Sequence, residues 1–256
     1  MAITPKNTPY TNGAIIGYQN LLVSSSVTGD TSATSDLAIL PNTFERWRPD
    51  NLAVTARFDL ATSSTVNFVA IAAHNLSGQE ISIEYSTTDG GALTVIESIT
   101  PTSNEPFMIT FDDIEAREIA IVATFAGDRE IGVISAGEYL QMPYPIYGGH
   151  KPIDLSNQTT YQTNTSDSGQ FLGRNVIRRG VSTSYNFKHL SEDFVYGDFS
   201  LFKSSAVENP FFIKWRPDRY ETTAYGFTTK DISIKNMGGA NSLMEASFTM
   251  RGHRDI

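Results

Sequence analysis

The chain has 256 residues, enough for one large or two ordinary domains, each with its own core. Its formal net charge is −9, from 19 Lys and Arg against 28 Asp and Glu, which opposes non-specific attachment to a phosphate backbone, so no nucleic-acid partner is expected. The absence of Cys removes disulfides, thiolate nucleophiles and zinc-thiolate sites, and 18% charged with 11% aromatic residues suits strands and surfaces buried in an assembly.

Met1 to Tyr10 carries one Lys and no apolar run, so no signal peptide is expected, and no stretch approaches the ~18 apolar residues of a membrane span. Apolar residues then recur with period two at Val66, Phe68 and Ala70, at Ile81, Ile83 and Tyr85, at Phe107, Ile109 and Phe111, and at Ile119, Ile121 and Ala123. Such short alternations predict half-buried strands. Asp89-Gly90-Gly91 and Gly127-Asp128 supply turns between them, so residues 1–143 read as an acidic β-sandwich or jelly roll.

Met142 to Pro152 holds three prolines and two glycines, and the charge changes sign in composition there: 6 basic against 17 acidic residues before Pro143, 13 against 11 from it onward. A joint is therefore placed at 144, followed to 173 by a polar Ser/Thr/Asn arm in which Asn157 to Gly173 has little to bury and whose ordering needs a partner. In the remaining part, 174–256, Val181, Thr183, Tyr185 and Phe187 alternate as a strand. Ser191 with Glu192 and Asp193 caps one helix running to about Ala206, and strands follow at Phe211 to Trp215, at Ile232 and Ile234, and from Met244 to Met250. The expected fold is mainly β: a jelly-roll sandwich, then a smaller α+β part with one helix on a sheet or barrel.

Familiar catalytic motifs are missing. His74, His150, His189 and His253 are far apart, none has a second ligand at helical spacing, and a lone His is more often structural than catalytic. The Asp112-Asp113-Ile114-Glu115 cluster, and Asp30 and Asp36, could offer oxygen ligands to a hard cation, but the cluster lies between two strand patterns, where a solvated turn is the simpler reading. Asp112 and Glu115 could also be a hydrolase's carboxylate pair, although neither lies in an apolar sequence context that would tune it. Trp47-Arg48-Pro49-Asp50 recurs as Trp215-Arg216-Pro217-Asp218, either a Trp and Arg contact surface or a repeated Pro-Asp turn. Asn75, Asn157 and Asn164 fit glycosylation acceptor patterns that mean nothing without secretion.

Ser64 to Leu76, with its Ala73-His74-Asn75-Leu76 end, and Ile81 to Gly91, with Tyr85-Ser86 before Asp89-Gly90, resemble the middle of a discoidin-like, galactose-binding-like jelly roll. Phe44 to Asp50, leading into Val54 to Leu60, and Ile131 to Tyr139 fit the same layout. Asn209 to Trp215, Tyr225-Gly226-Phe227 and Ser247 to Gly252 resemble the closing part of minor tail and tail-tip proteins of long-tailed bacteriophages. The resemblance implies a non-enzymatic virion protein without cofactor or metal, made in the host cytoplasm, that oligomerises as a ring and docks to tail-tube and tail-tip hub proteins. Phe211, Phe212, Trp215 and Tyr220 are the interface candidates, with Phe212 and the stem of Lys214 on the strand face left to a neighbour. The alternative is a carbohydrate-binding module attaching to host-surface glycans, with Arg46 and Trp47 as candidate sugar contacts.

Overall fold

In a computed structural model of the chain, the structure describes residues 13–30, 34–50, 53–238 and 242–253. The expectation for Met1 to Tyr10 lies outside them. The molecule is mainly β, and its strands divide between a sandwich, a second sheet and an isolated hairpin.

The sandwich contains β2 (Ser24–Thr28), β3 (Ala53–His74), β4 (Ile81–Ser86), β5 (Thr94–Ile99), β6 (Phe107–Thr124) and β7 (Ile131–Gly137), with β1 (Ile15–Gly17) preceding them in the chain. Two unusually long strands make both of its layers. Antiparallel β3 and β6 pair from Ala53↔Thr124 to Asp59↔Glu118, then again from Ser64↔Ala116 to Ile71↔Phe107. At the interruption Ala61 takes a positive φ of 61° and both strands turn a corner. Before the corner β3 is flanked by β2 and β6 by β4, with β5 beyond β4; after it β3 is flanked by β7. The layers close on one apolar core that includes Phe58, Ile83 and Ile121 from one and Val69, Phe111 and Ile134 from the other. This is a jelly-roll-like sandwich, as the alternation predicted.

Ion pairs hold the corner. Arg117 pairs with Asp59, and Arg57 Nη1 donates to Glu118 Oε2 at 2.6 Å while its Nη2 donates to the Gly91 carbonyl at 2.9 Å. Glu118 is only 4% exposed, so its charge depends on Arg57 and on the Gly90 N–H, 3.2 Å from Oε1.

The second sheet runs β11-β15-β13-β12-β1-β8, with β14 also on β15. Its members are β1, β8 (Leu140–Gln141), β11 (Gly180–Leu190), β12 (Phe211–Lys214), β13 (Thr223–Thr228), β14 (Ser233–Asn236) and β15 (Met244–His253); β9 (Thr160–Thr165) and β10 (Phe171–Arg178) form the hairpin between β8 and β11. Because β1 pairs with both β12 and β8, the second sheet draws strands from both sides of the Pro143 joint. The helical pattern ending near Ala206 forms two helices, α1 (Glu192–Tyr196) and α2 (Asp198–Ser205), rather than one. Ser191 caps α1 by accepting from the Phe194 N–H, as its sequence implied. Gly197 breaks the run at φ −87°, ψ −110°, where a side chain would meet the Asp193 carbonyl at 2.8 Å.

Alternation along β12 sends Phe211 and Ile213 into a core shared with Phe199 and Phe202 of α2, and Phe202 meets Phe211 edge-on at 5.0 Å. Phe212 points the opposite way. There Ile15, Phe212 and Tyr225 pack on Phe68, Ala70, Ala72, Met108 and Val133, the outer face of the sandwich. The half-buried reading of β3 therefore fails after the corner: from Val66 to His74 every residue is buried, because each face has its own cover.

Candidate functional site

Asn157 to Gly173, read as an arm without structure of its own, enters a β-hairpin instead. Thr160 to Thr165 pairs with Phe171 to Arg178, Thr and other β-branched residues favouring the extended strands. Gly169, at φ 81°, closes the turn with its N–H on the Ser166 carbonyl at 2.9 Å. At the base, Gln158 N–H donates to the Gly180 carbonyl at 2.7 Å and Ser182 N–H to the Ser156 carbonyl at 3.1 Å, tying the hairpin to β11. Nothing else in the described chain pairs with either hairpin strand.

The hairpin exposes several large apolar side chains among its polar ones. Phe171 and Leu172 are each 65% exposed and Ile177 64%, with Tyr161 and Val176 also open. Arg174 lies 4.6 Å from the Tyr161 ring centre and donates to Thr163 Oγ1 at 3.1 Å, which makes one face partly self-covered. A two-stranded ribbon is marginal in water by itself, and clustered exposed apolar side chains mark an interaction surface. Its charge is basic: Arg174, Arg178 and Arg179 against Asp167 alone.

The interface candidates lie elsewhere. Phe211 and Phe212 are each 1% exposed, one in the core beneath the helices and the other against the sandwich. The face of β12 expected to meet a neighbour is thus covered by the chain's own first sheet. Lys214 is covered too, its Nζ 3.4 Å from the Met108 carbonyl and paired with Glu221. Trp215 is partly buried and stacks on half-exposed Tyr220 with ring centres 5.4 Å apart. It also meets His150 edge-on at 5.0 Å.

A second region is the loop end of the sandwich. Trp47 forms a two-way backbone bridge with Ile131, each N–H 2.9 Å from the other's carbonyl, and sinks its indole between Phe58 and Phe125. It is fully buried, with Nε1 donating to Asp30 Oδ2 at 2.8 Å, so it presents no ring face to a sugar. Arg46 is spent on Glu130 at 3.1 Å, and Arg48 Nε meets the other oxygen of the same carboxylate at 2.9 Å. Beside them is a groove of about 430 Å³ lined by Arg48, Pro49, Asp50, Asp128, Arg129 and Glu130. Asn75 shapes it: its side chain donates to the Asp128 carbonyl at 2.9 Å and accepts from the Glu130 N–H at 2.7 Å. Arg129 Nη1 completes the tie with the Asn75 carbonyl at 2.7 Å.

His74 is structural. Its Nδ1 accepts from the Leu76 N–H at 3.2 Å, which places the proton on Nε2 to donate to the Glu105 carbonyl at 2.9 Å. Among the described residues no group of three or more His, Asp or Glu is placed to hold a metal ion. Asp113 accepts from Asn67 and Glu115 from Thr65, while Asp36 accepts from the Ser25 N–H and hydroxyl.

The two Trp-Arg-Pro-Asp segments differ in structure. The first enters the sandwich core; the second is a turn in which Arg216 Nε donates to Asp218 at 3.2 Å and the Arg216 carbonyl accepts from Tyr220 N–H at 2.9 Å.

No family model matches the sequence, and no curated protein does. Solved structures similar in fold include chitosan-binding module 1 of a chitosanase/glucanase from Paenibacillus sp. IK-5, at 17% identity and TM-score 0.42, covering 47% of this chain and 99% of that one. The family 32 carbohydrate-binding module of Clostridium perfringens NanJ, solved with galactose, is 22% identical at TM-score 0.40, covering 50% and 99%. A further C. perfringens module, CBM32-5 of CpGH89, solved with GalNAc-β-1,3-galactose, is 14% identical at TM-score 0.40, covering 45% and 94%. Likeness at this level assigns neither a ligand nor a binding residue to this chain.

The hairpin is the feature that sequence reasoning missed. Its signal was present as Ser166-Asp167-Ser168-Gly169 between Thr-rich and Val-Ile segments. The polar composition of the tract concealed it, because a strand exposed on both faces has no apolar period.

Proposed function

We propose that this chain is a non-enzymatic assembly protein, a component of a bacteriophage tail or tail tip, which docks to its neighbours through the β9–β10 hairpin. The observation that carries the reading is the hairpin itself: a ribbon paired with no other strand of the described chain, with Phe171, Leu172 and Ile177 exposed. Burying a Phe or Leu side chain is worth ~1.5–3 kcal/mol, so a partner strand would recover much of what the free hairpin leaves in water. The tail setting rests on the resemblance of Asn209 to Trp215 and Ser247 to Gly252 to tail proteins.

The test has two parts. Antibody raised against the purified chain should label the tails of phage particles released by the source strain. A strain carrying Phe171→Ser, Leu172→Ser and Ile177→Ser together should make the folded protein yet release particles without it. Unlabelled wild-type particles would remove the tail setting, and normal incorporation of the variant would remove the hairpin from the assembly.

A second reading has one observation in its favour, the polar loop-end groove with Arg48, Asp50, Arg129 and Glu130 able to hydrogen-bond a polyhydroxylated ligand. Phe44, three residues before buried Trp47, is an exposed aromatic at 93%. Saturable binding on a glycan array, abolished by Arg129→Ala with the fold retained, would support attachment to glycans; absence of any specific binder counts against it.

A further inference from the structure

We propose that the segment from Met142 to Pro152 is an acid-released strap, which closes one end of the second sheet's core while His150 is neutral and lifts from β11 when His150 takes up a proton. The strap operates whatever the hairpin docks to.

Few backbone bonds are open to this segment. Met142 N–H donates to the Ala14 carbonyl at 2.8 Å and Tyr147 N–H to the Asn186 carbonyl at 2.7 Å, while Thr183 Oγ1 donates to the Lys151 carbonyl at 2.6 Å. Pro143, Pro145 and Pro152 have no N–H to add, and Gly149 turns the chain at φ 97° immediately before His150. Tyr144 and Tyr147 are both half exposed. The seat of the His150 ring therefore carries much of the attachment.

That seat is made of polar atoms without partners. The imidazole meets the Trp215 ring edge-on at 5.0 Å and lies 6.3 Å from the ring of Tyr185. His150 Nε2, Tyr185 Oη and Trp215 Nε1 are all buried, and none of them hydrogen-bonds among the described residues. Each such atom costs free energy that contact with water recovers, so the closed strap is a local weak point within an otherwise well-packed core.

Protonation raises that cost. It adds a buried charge and puts an N–H on both ring nitrogens, and Trp215 opposes them with another donor. Tyr185, the titratable group that faces the ring from β11, stays neutral because burial pushes its pKa up. Beyond Trp215, Tyr220 stacks on its indole and Arg216 is paired with Asp218. Lys151 in the strap and Lys188 of β11 are cations, the latter 4.2 Å from the Tyr147 ring centre. His150 itself forms no ion pair among the described residues. Desolvation accordingly holds its pKa below the ordinary histidine value. The closed form is then fully favoured above about pH 6.5 and is lost as pH falls through the lowered value.

Hydrogen exchange of the full chain, followed by mass spectrometry at pH 7.5 and pH 5.0 with labelling times scaled to the intrinsic rates, tests the proposal. In wild type the opening equilibrium of peptides covering Tyr144 to Lys151 should rise roughly tenfold at the lower pH, while β3 and β6 keep their protection. His150→Phe fills the seat with a ring that cannot titrate and should abolish the rise. Tyr185→Phe removes one unpaired atom and should reduce opening about fivefold or more at both pH values, with the acid response retained. If His150→Phe melts early, His150→Leu takes its place.

A strap already unprotected at pH 7.5, wild-type opening that does not change with pH, or the same acid response in the His150 variant would each overturn the proposal. Equal loss of protection in β3 and β6 would overturn it too, because acid would then be unfolding the whole molecule rather than releasing the strap.

Discussion

Trp47 shows how one residue's burial redirects a functional argument. A Trp beside Arg near a loop end is a reasonable sugar platform, but here the ring lies between Phe58 and Phe125 and its N–H is committed to Asp30. Trp47→Ala should therefore cost about 3–5 kcal/mol of unfolding free energy, read as a lower denaturant midpoint. An unchanged midpoint would return the ring to the surface. His150 offers a titration test. Burial beside Tyr185 and Trp215 holds its pKa below the ordinary histidine value, so the unfolded chain takes up the proton at higher pH than the folded one. Its contribution to stability is complete above about pH 6.5 and is lost as pH falls through the lowered value. His150→Phe keeps a ring in place and should flatten the fall in melting temperature between about pH 7 and pH 5; an unaltered profile would place the sensitivity elsewhere.

At the scale of elements, period-two alternation was legible wherever one strand face met the core, as at Ile81, Ile83 and Tyr85 or Val181 to Phe187. It could not say what covered the other face. Val66 to His74 reads as a half-buried strand with interspersed apolar residues, yet Phe68, Ala70 and Ala72 are covered by Phe212 and Tyr225 of a strand pair far along the chain. The candidate site suffered the same limit: Phe212 was assigned to the correct face of β12, but its covering came from the chain itself. Close strand crossings were equally hidden. Gly226 and Gly252 face each other across β13 and β15, where a Cβ on Gly226 would meet the Arg251 carbonyl at 2.4 Å and one on Gly252 the Tyr225 carbonyl at 2.6 Å. Backbone atoms cannot yield as side-chain tips do. Gly226→Ala should lower stability by about 1–3 kcal/mol through forced separation of the strands, measurable by chemical denaturation; a neutral effect would mean that the crossing is looser.

At the scale of the molecule, the second sheet lies between the helices on one side and the sandwich on the other, and β1 crosses into it from the start of the chain. Tyr225 adds a polar tie, its hydroxyl donating to the Pro41 carbonyl at 2.6 Å, and burial pushes its pKa up. Phe212→Ala should consequently lower global stability by about 3–5 kcal/mol, as a core truncation does, rather than spare the fold and block assembly alone. Thermal unfolding decides between these, and an unshifted melting temperature would detach the two sheets. The hairpin is the opposite case, since its exposed apolar residues support no core of the chain that carries them. The most direct measurement compares incorporation of wild type and of the Phe171→Ser, Leu172→Ser, Ile177→Ser variant into released particles, with thermal unfolding of the same purified proteins. Wild type should be incorporated and the variant left out at an unchanged melting temperature. A variant that melts earlier, or is incorporated as wild type is, would contradict a hairpin built for docking.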